Sequence, residues 1–389
     1  MYKIKRFNKI SDAVGQYLPQ DKYEIAEDFE DYDAVLVRSA ALHDVTFPER
    51  TLAIARAGAG VNNIPVEKCA ERGIVVFNTP GANANAVKEL VLCGMLMSGR
   101  KIAQSMEWLK GEAAGSDDVA NLIEKSKSRF AGPELLGKKL GVIGLGAIGV
   151  MVANAAARGL GMEVMGYDPY LSVDSAWHLD RRIERAATIE QILASCDYVT
   201  LHLPLSDATR NTIDAAAIAK MKNGAVLLNF ARGGLVDTDA VLDAVAGGHL
   251  AKYVTDFPDS RLIGKENIIC TPHLGASTPE SEENCAIMAA RELADYIENG
   301  NIRNSVNFPN CELPREGGVR LAIINKNVPN ILGQLTALLA AEGLNIEHMI
   351  NKSRGEWAYT MFDLTREPQA DCLNDIKAVE GIVRVRVIK

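Results

Sequence analysis

Short unbroken apolar runs recur along the first two thirds of the chain. They fall at Ala34–Val37, Gly73–Phe77, Leu140–Ile143, Glu163–Tyr167, Asp197–Leu201, Ala225–Asn229, Tyr253–Asp256 and Ile268–Cys270. Runs of this length without polar alternation predict strands of a parallel sheet covered by helices on both faces. Met1-Tyr2-Lys3-Ile4-Lys5-Arg6 reads as a first strand. Stretches with helical spacing lie between the runs, the longest from Asn85 to Gly111 and from Pro279 to Asn299. The first predicts a crossover helix between two domains, and the second returns the chain to the first. The expected organisation is therefore a discontinuous domain (1–97 and 281–306) around a second one (98–280).

Residues 307–318, Asn-Phe-Pro-Asn-Cys-Glu-Leu-Pro-Arg-Glu-Gly-Gly, have no periodicity and many breakers, and predict a linker. The pattern then resumes as strand (Val319 to Ile324), helix (Asn330 to Ala341), strand (Ile346 to Lys352), strand (Trp357 to Leu364), helix (Ala370 to Val379) and strand (Ile382 to Ile388). This βαββαβ order predicts a small ferredoxin-like module over 319–389, too short for a catalytic cleft of its own. Regulation or assembly is the role expected of it. With 389 residues the chain has room for two or three cores.

Charge narrows the partners. A formal net charge of −8 without a long basic stretch argues against nucleic acid. The N-terminus lacks a signal-type apolar core, and no apolar stretch approaches membrane-spanning length, so no membrane association is expected. Seven cysteines, scattered without C-x-x-C spacing, argue against structural zinc and fit a reducing compartment, the cytoplasm.

The sharpest local signal is Gly144-Leu145-Gly146-Ala147-Ile148-Gly149, entered from an apolar strand and followed by helical spacing. Gly144 permits a tight turn, Gly146 lets the backbone approach a pyrophosphate, and Gly149 lets the helix lie close to the sheet. The helix N-terminus aims N–H groups and partial positive charge at the phosphates. Asp168 closes the next strand, where a carboxylate accepts the adenine-ribose hydroxyls and repels a 2′-phosphate. NAD rather than NADP is expected.

Four further sites fall at predicted strand ends, where ligands bind in doubly wound sheets. In Asn229-Phe230-Ala231-Arg232-Gly233-Gly234 the Arg232 guanidinium can fork onto a carboxylate or carbonyl oxygen. In Thr271-Pro272-His273-Leu274-Gly275 the His273 imidazole can exchange a hydroxyl proton as hydride moves at the adjacent carbon. Among the six histidines, His202 precedes Pro204 in a cofactor-lining position, and the remaining four read as solvated. Gly58-Ala59-Gly60 suits a backbone nest for a carboxylate, with an ordinary tight turn as the alternative. Arg38-Ser39, Arg56 and Asn83 add cationic and polar donors nearby, a set suited to a dianionic substrate. Asp256 could hold a nicotinamide carboxamide, or be an ordinary strand-end carboxylate.

Taken together, the glycine turn with Asp168, Phe230-Ala231-Arg232-Gly233-Gly234, Thr255-Asp256-Phe257 and Pro272-His273-Leu274-Gly275-Ala276-Ser277-Thr278 resemble the D-isomer-specific 2-hydroxyacid dehydrogenases. The likeness covers nearly the whole chain. It implies an α/β fold of two doubly wound domains, one flavodoxin-like and one Rossmann, plus a C-terminal βαββαβ ferredoxin-like (ACT) module. It implies NAD contacts at Gly144, Gly146, Ala147, Ile148, Gly149, Asp168, His202, Leu203, Pro204, Phe230, Ala231, Arg232, Asp256, His273 and Gly275. Arg232 would polarise the substrate and His273 act as general acid/base. Val37-Arg38-Ser39, Arg56-Ala57-Gly58-Ala59-Gly60-Val61 and the terminal module resemble the branch that oxidises 3-phosphoglycerate on the way to L-serine. Arg38, Ser39, Arg56, Gly58, Ala59, Gly60 and Asn83 would then hold its carboxylate and phosphate. Asn327 and Asn345 stand where effector-binding amides for L-serine are expected, and a homo-oligomer, dimer or tetramer, is implied.

The chain departs from the family at one place of chemical weight. A glutamate normally follows the Asp-Val-Phe motif and pairs with the histidine; here the loop reads Asp256-Phe257-Pro258-Asp259-Ser260-Arg261. Asp259 is the nearest candidate partner, one methylene shorter, and the pH dependence of the reaction should shift if nothing pairs with His273. Two other readings stay open: a different D-2-hydroxy acid such as 2-hydroxyglutarate as substrate, or an NADH-sensing protein without turnover. The terminal module could also serve only oligomerisation.

Overall fold

The computed structural model describes all 389 residues, which form two compact units, Met1–Asn83 with Pro279–Lys389, and Ala84–Thr278. In the first unit, β1 (Tyr2–Phe7), β2 (Tyr23–Ala26), β3 (Ala34–Val37), β4 (Ala53–Arg56) and β5 (Val75–Phe77) make a parallel sheet in the order β2-β1-β3-β4-β5. This is the flavodoxin-like order. The helix Pro279–Asn299 covers one face with Ala286, Ala289, Ala290, Leu293, Tyr296 and Ile297, all buried and spaced three or four apart.

The second unit holds β6 (Lys139–Ile143), β7 (Glu163–Tyr167), β8 (Glu184–Arg185), β9 (Tyr198–Leu201), β10 (Ala225–Asn229), β11 (Leu250–Thr255) and β12 (Ile268–Cys270). Their order is β12-β11-β10-β9-β6-β7-β8, every neighbouring pair parallel. The order reverses between β6 and β9, and that switch point is where a doubly wound sheet receives its ligand.

The expected boundaries move. The helix Ala84–Gly99 lies wholly in the second unit, because Gly94 packs against Phe230 and Val254 there. The boundary is thus at Asn83/Ala84 rather than 97/98, and at Thr278/Pro279 rather than 280/281. The predicted Asn85–Gly111 helix is broken at Gly99, where the backbone crosses the 130–133 segment and a Cβ on Gly132 would strike the Gly99 carbonyl. Lys101 N donates to Phe130 O at 3.4 Å, and a separate helix, Ile102–Trp108, follows. No helix of the chain is long and apolar enough to cross a membrane.

The terminal module, β13 (Val319–Lys326), helix Ile331–Ala341, β14 (Ile346–Arg354), β15 (Trp357–Leu364), helix Ala370–Ala378 and β16 (Ile382–Ile388), is an antiparallel sheet ordered β14-β15-β13-β16. It belongs to the first compact unit rather than standing apart. One sheet face packs its own helices through Leu321, Ile323, Phe362 and Leu364. The other contributes Ala322, Ile324, Tyr359, Met361 and Ile388 to the core beneath the helix Pro279–Asn299.

The 307–318 stretch is correspondingly not a loose linker in its first half. Phe308 and Cys311 are buried in that same core, Phe308 lies edge-on to Trp357, and Asn307 is buried while bonding Ile74 O and Val76 N. Breaker-rich sequence gave no sign of these long-range partners. Arg320, fully buried, grips Asp363 through two bonds of 2.6 and 2.9 Å and donates to the carbonyls of Asn299, Leu313 and Pro314. Removing one partner of a pair this deep strands the other charge, at a cost of about 3–5 kcal/mol.

Candidate active site

The glycine turn has the geometry a dinucleotide needs. Gly144 adopts φ +94°, and a Cβ there would come within 2.5 Å of the His202 carbonyl. A Cβ on Gly149 would collide with the Gly144 carbonyl, while Gly146 faces open space. Gly146 caps the helix Ala147–Gly159 without any side-chain bond, so the first-turn N–H groups remain for an external acceptor. Asp168 accepts from Leu145 N at 2.9 Å and Tyr170 N at 2.8 Å, which fixes its carboxylate at the β7 end. These residues fit NAD: a turn that admits only glycine at 144 and 149, open space over Gly146, an uncapped helix N-terminus, and an acid placed for ribose hydroxyls.

His202 follows β9 with its N–H bonded to Ile143 O at 2.8 Å and Nε2 3.1 Å from Thr200 Oγ1. Burial pushes its pKa down to about 3, so the ring is neutral at working pH and is a wall of the site, not an acid. Nδ1 is buried without a protein partner.

The candidate reactive groups follow β10 and β12, with Asp256 and Phe257 at the end of β11. Asn229, buried at the end of β10, ties its Nδ2 to Arg232 O at 2.8 Å, and its Oδ1 accepts from Ala231 N. The bend throws the Arg232 side chain outward, where it is exposed and donates to Ala231 O at 2.7 Å. Phe257 lies between the two candidates: its ring centroid is 5.9 Å from the Arg232 guanidinium carbon and 4.4 Å from the His273 ring. His273 holds φ +46°, a strained value for a side chain of its size, pinned by bonds from its N–H to Asp256 O and Thr271 O. Asp256 is 1% exposed and accepts from Gly275 N at 3.3 Å, with Oδ1 unpartnered. Burial pushes its carboxyl up, while the charge of His273, the Gly275 amide and the charge of Arg232 pull it back.

Asp259 does not serve His273. Its carboxylate is taken by Arg261, two residues on, at 2.8 Å, and that guanidinium holds it below the usual carboxylate range. Arg261 also reaches Asp239 at 2.6 Å. The nearer cation wins the shorter acid, and the aromatic face of Phe257 is what packs on the imidazole. Phe257, packed against both candidates, and Asn229, which shapes the Arg232 bend, are contacts that residue-type reasoning passed over.

The first unit carries a separate set of anion donors. Arg38 directly follows β3 and Arg56 ends the adjacent β4. Arg56 Nε donates to Arg38 O at 3.0 Å, and its guanidinium crosses Gly58 so closely that a Cβ there would overlap it. Gly58, at φ +144°, spends its own N–H on Thr79 Oγ1 at 2.7 Å and Arg56 O at 2.9 Å. The expected nest therefore narrows to Ala59 and Gly60, whose amides meet no protein acceptor. Arg38 pairs with Glu282 at 2.7 Å, a half-exposed contact that an incoming anion would have to displace. Ser39 N bonds Asn8 Oδ1, and Asn83 is half-buried at the unit's end.

In the terminal module Asn327 follows β13 beside Trp357, whereas Asn345 precedes β14 beside Leu364. The two amides thus lie at opposite ends of β15, and one copy of the module cannot bring both to one small effector. Asn327 Nδ2 is bonded to Gly355 O at 3.1 Å. No cluster of His, Cys, Asp or Glu forms that could hold a metal ion.

Residues 92–275 match the model of the D-isomer specific 2-hydroxyacid dehydrogenase NAD binding domain. The chain belongs to the D-isomer-specific 2-hydroxyacid dehydrogenases and is an NAD-dependent oxidoreductase. Its relatives include the D-3-phosphoglycerate dehydrogenase of Haemophilus influenzae, 35% identical over 341 residues that cover 85% of this chain and 79% of the relative. The Escherichia coli K12 enzyme of the same name is 33% identical, with 87% and 82% covered. Among solved structures, an NAD⁺-bound 3-phosphoglycerate dehydrogenase from Entamoeba histolytica matches with TM-score 0.60 and 27% identity over 79% of this chain and 98% of that one. The apo D-mandelate dehydrogenase of Rhodotorula graminis shares the fold, with TM-score 0.64 at 22% identity over 78% of this chain and 96% of that one.

Proposed function

We propose that the chain oxidises 3-phospho-D-glycerate to 3-phosphohydroxypyruvate, the first step of the phosphorylated route to L-serine. The observation that carries this reading is the pair of arginines at the ends of neighbouring strands, Arg38 and Arg56, beside the Ala59 and Gly60 amides. A monoanionic hydroxy acid needs one such cation; two, with a backbone nest, suit a carboxylate and a phosphate together. The names of the relatives point the same way.

NAD, when bound at the glycine turn, supplies the acceptor for the hydride that leaves C2. The chain's own groups do the rest. His273 takes the C2 hydroxyl proton, Arg232 holds the oxygen on which charge develops, and Phe257 fixes the spacing of the two. Asp256, buried beneath, keeps the His273 loop in register through Gly275.

We infer further that the enzyme is a homo-oligomer. The helices Ala84–Gly99 and Ile102–Trp108 line an apolar cavity of about 560 Å³ with Leu92, Cys93, Leu96, Met97, Ile102 and Met106. Leu96 and Met106 are 45% and 55% exposed, which suits burial against a second copy. Met106→Glu should shift sedimentation toward a single subunit; an unmoved boundary would take this surface out of assembly. An effector that touches Asn327 and Asn345 also needs a second copy, along the exposed edge strand β14. Seven unpaired cysteines suit a reducing cytoplasm.

The test is NADH consumption with 3-phosphohydroxypyruvate, 2-oxoglutarate and pyruvate, each with and without millimolar L-serine. Preference for the phosphorylated substrate is expected, with serine lowering the rate. Turnover of 2-oxoglutarate alone would move the substrate within the family, and NADH binding without any turnover would leave a sensor.

A further inference from the structure

Glu292 projects from the helix Pro279–Asn299 into the core of the first unit and is 7% exposed. No salt bridge compensates it. Its Oε1 accepts from Asn304 Nδ2 at 2.7 Å, and Oε2 is buried with no partner. Asn304 is held at φ +57° by a bond from its N–H to Asn310 Oδ1 at 3.0 Å, and its carbonyl accepts from Asn78 N at 3.3 Å. Asn78 in turn donates from Nδ2 to Ala59 O at 2.6 Å, while its neighbour Thr79 bonds Gly58 through both N–H and Oγ1. An unbroken set of hydrogen bonds therefore runs from a buried carboxyl to the Gly58–Gly60 turn. An acid without a cation is an expensive way to hold one asparagine, and an apolar residue would fill the space at less cost.

We propose that Glu292 is a positioning residue for substrate, acting through Asn304 and Asn78 to hold the Ala59 and Gly60 amides in their anion-receiving geometry. The proposal rests on the reading of Gly58–Gly60 as the substrate's anion loop. Burial pushes the Glu292 carboxyl up to about 8, and the Asn304 amide and the charge of Arg303 only partly oppose this. The strands under the helix meet it with Ala53, Ala55, Val75 and Phe77. The adjoining short helix Asp12–Gln16 contributes Val14. From the terminal module, Arg386 stops one turn further on, bonded to the Tyr296 and Ile297 carbonyls. Tyr296, on the same helix, buries an unpartnered hydroxyl. The carboxyl is thus protonated at neutral pH and accepts the Asn304 amide without placing a net charge in the core. Its folded-state pKa lies above the ordinary value, so ionisation leaves an unpaired charge in the core, and the Glu292 side chain, well held at low and neutral pH, is destabilised in its place as pH rises through about 8.

The experiment measures KM and kcat for 3-phosphohydroxypyruvate between pH 6.5 and 9.5 in the unaltered chain, Glu292→Gln and Glu292→Ala. In the unaltered chain KM should climb above pH 8, by up to about tenfold per pH unit, while kcat follows the same pH course in all three proteins. Glu292→Gln, which mimics the protonated acid, should keep the neutral-pH KM and flatten the limb. Glu292→Ala should raise KM several-fold at every pH. Hydrogen–deuterium exchange of the peptide spanning 57–62 at pH 7 reads the loop without substrate: faster exchange in Glu292→Ala and none in Glu292→Gln is expected. An alkaline KM limb that survives in Glu292→Gln, or a 57–62 peptide that exchanges equally in all three proteins, overturns the relay. If the unaltered chain does not turn over this substrate, the substrate reading fails by itself and the exchange comparison alone decides the relay.

Discussion

Arg232→Ala should lose turnover by about 10³-fold or more while NADH affinity stays nearly unchanged. The guanidinium is exposed at the β10 end and its anchoring is made through backbone: Asn229 shapes the bend, and only one bond, to Ala231 O, restrains the side chain. Truncation therefore leaves the strand, the glycine turn and Asp168 as they are. What disappears is the cation that meets charge building on the substrate oxygen. Arg232→Lys should recover little, because an ammonium cannot present a planar fork over the Phe257 ring. Stopped-flow binding of NADH beside steady-state rates separates the outcomes. A parallel loss of NADH affinity would mean that Arg232 belongs to the cofactor's site and not to the substrate's.

His273→Ala should cost about 10²–10⁴-fold in rate, the usual contribution of a positioned general acid/base, and flatten the neutral-pH dependence of hydride transfer. The imidazole is the side chain suited to exchanging a proton in that range. Here it is set by backbone strain at φ +46° and by the Phe257 ring, because Asp259 is committed to Arg261. Asp259→Asn should accordingly leave the profile nearly as it was. Single-turnover rates across pH decide the matter: a profile unchanged in His273→Ala removes the imidazole from proton transfer.

The dinucleotide turn was legible because everything that defines it is local: three glycines, a strand before, a helix after and an acid at the next strand end. The strand-end Arg232 and His273 were legible for the same reason. Arg261 lies only two residues from Asp259, so a competing ion pair was written in the same loop. Phe308 and Cys311 were hidden, since a breaker-rich stretch carries no trace of the core that receives it. The break at Gly99 depends on a crossing by Gly132, more than thirty residues away. Glu292 reads as one more acid on an amphipathic helix; its partner Asn304 lies past the helix end, and Asn78, which bonds Asn304, comes from the far side of the sequence. Local grammar thus revealed the dinucleotide turn and the strand-end placement of Arg232 and His273, while burial and long-range pairing decided the domain borders and the contacts behind the Gly58–Gly60 turn.

The Arg320 clamp gives the terminal module a second identity, that of a keel. Its guanidinium closes on Asp363 within the module and on the carbonyls of Asn299, Leu313 and Pro314 outside it, so one side chain stitches both pieces into a single cooperative body. A gene cut at Gly317-Gly318, the place a designer would choose, would leave the underside of Phe77, Tyr296, Ile302 and Phe308 bare to water. The severed module would in turn display Tyr359, Met361 and a charged pair meant for the dark. Neither half is a spare part, and swapping the module between enzymes must carry the Asn299–Pro314 segment with it.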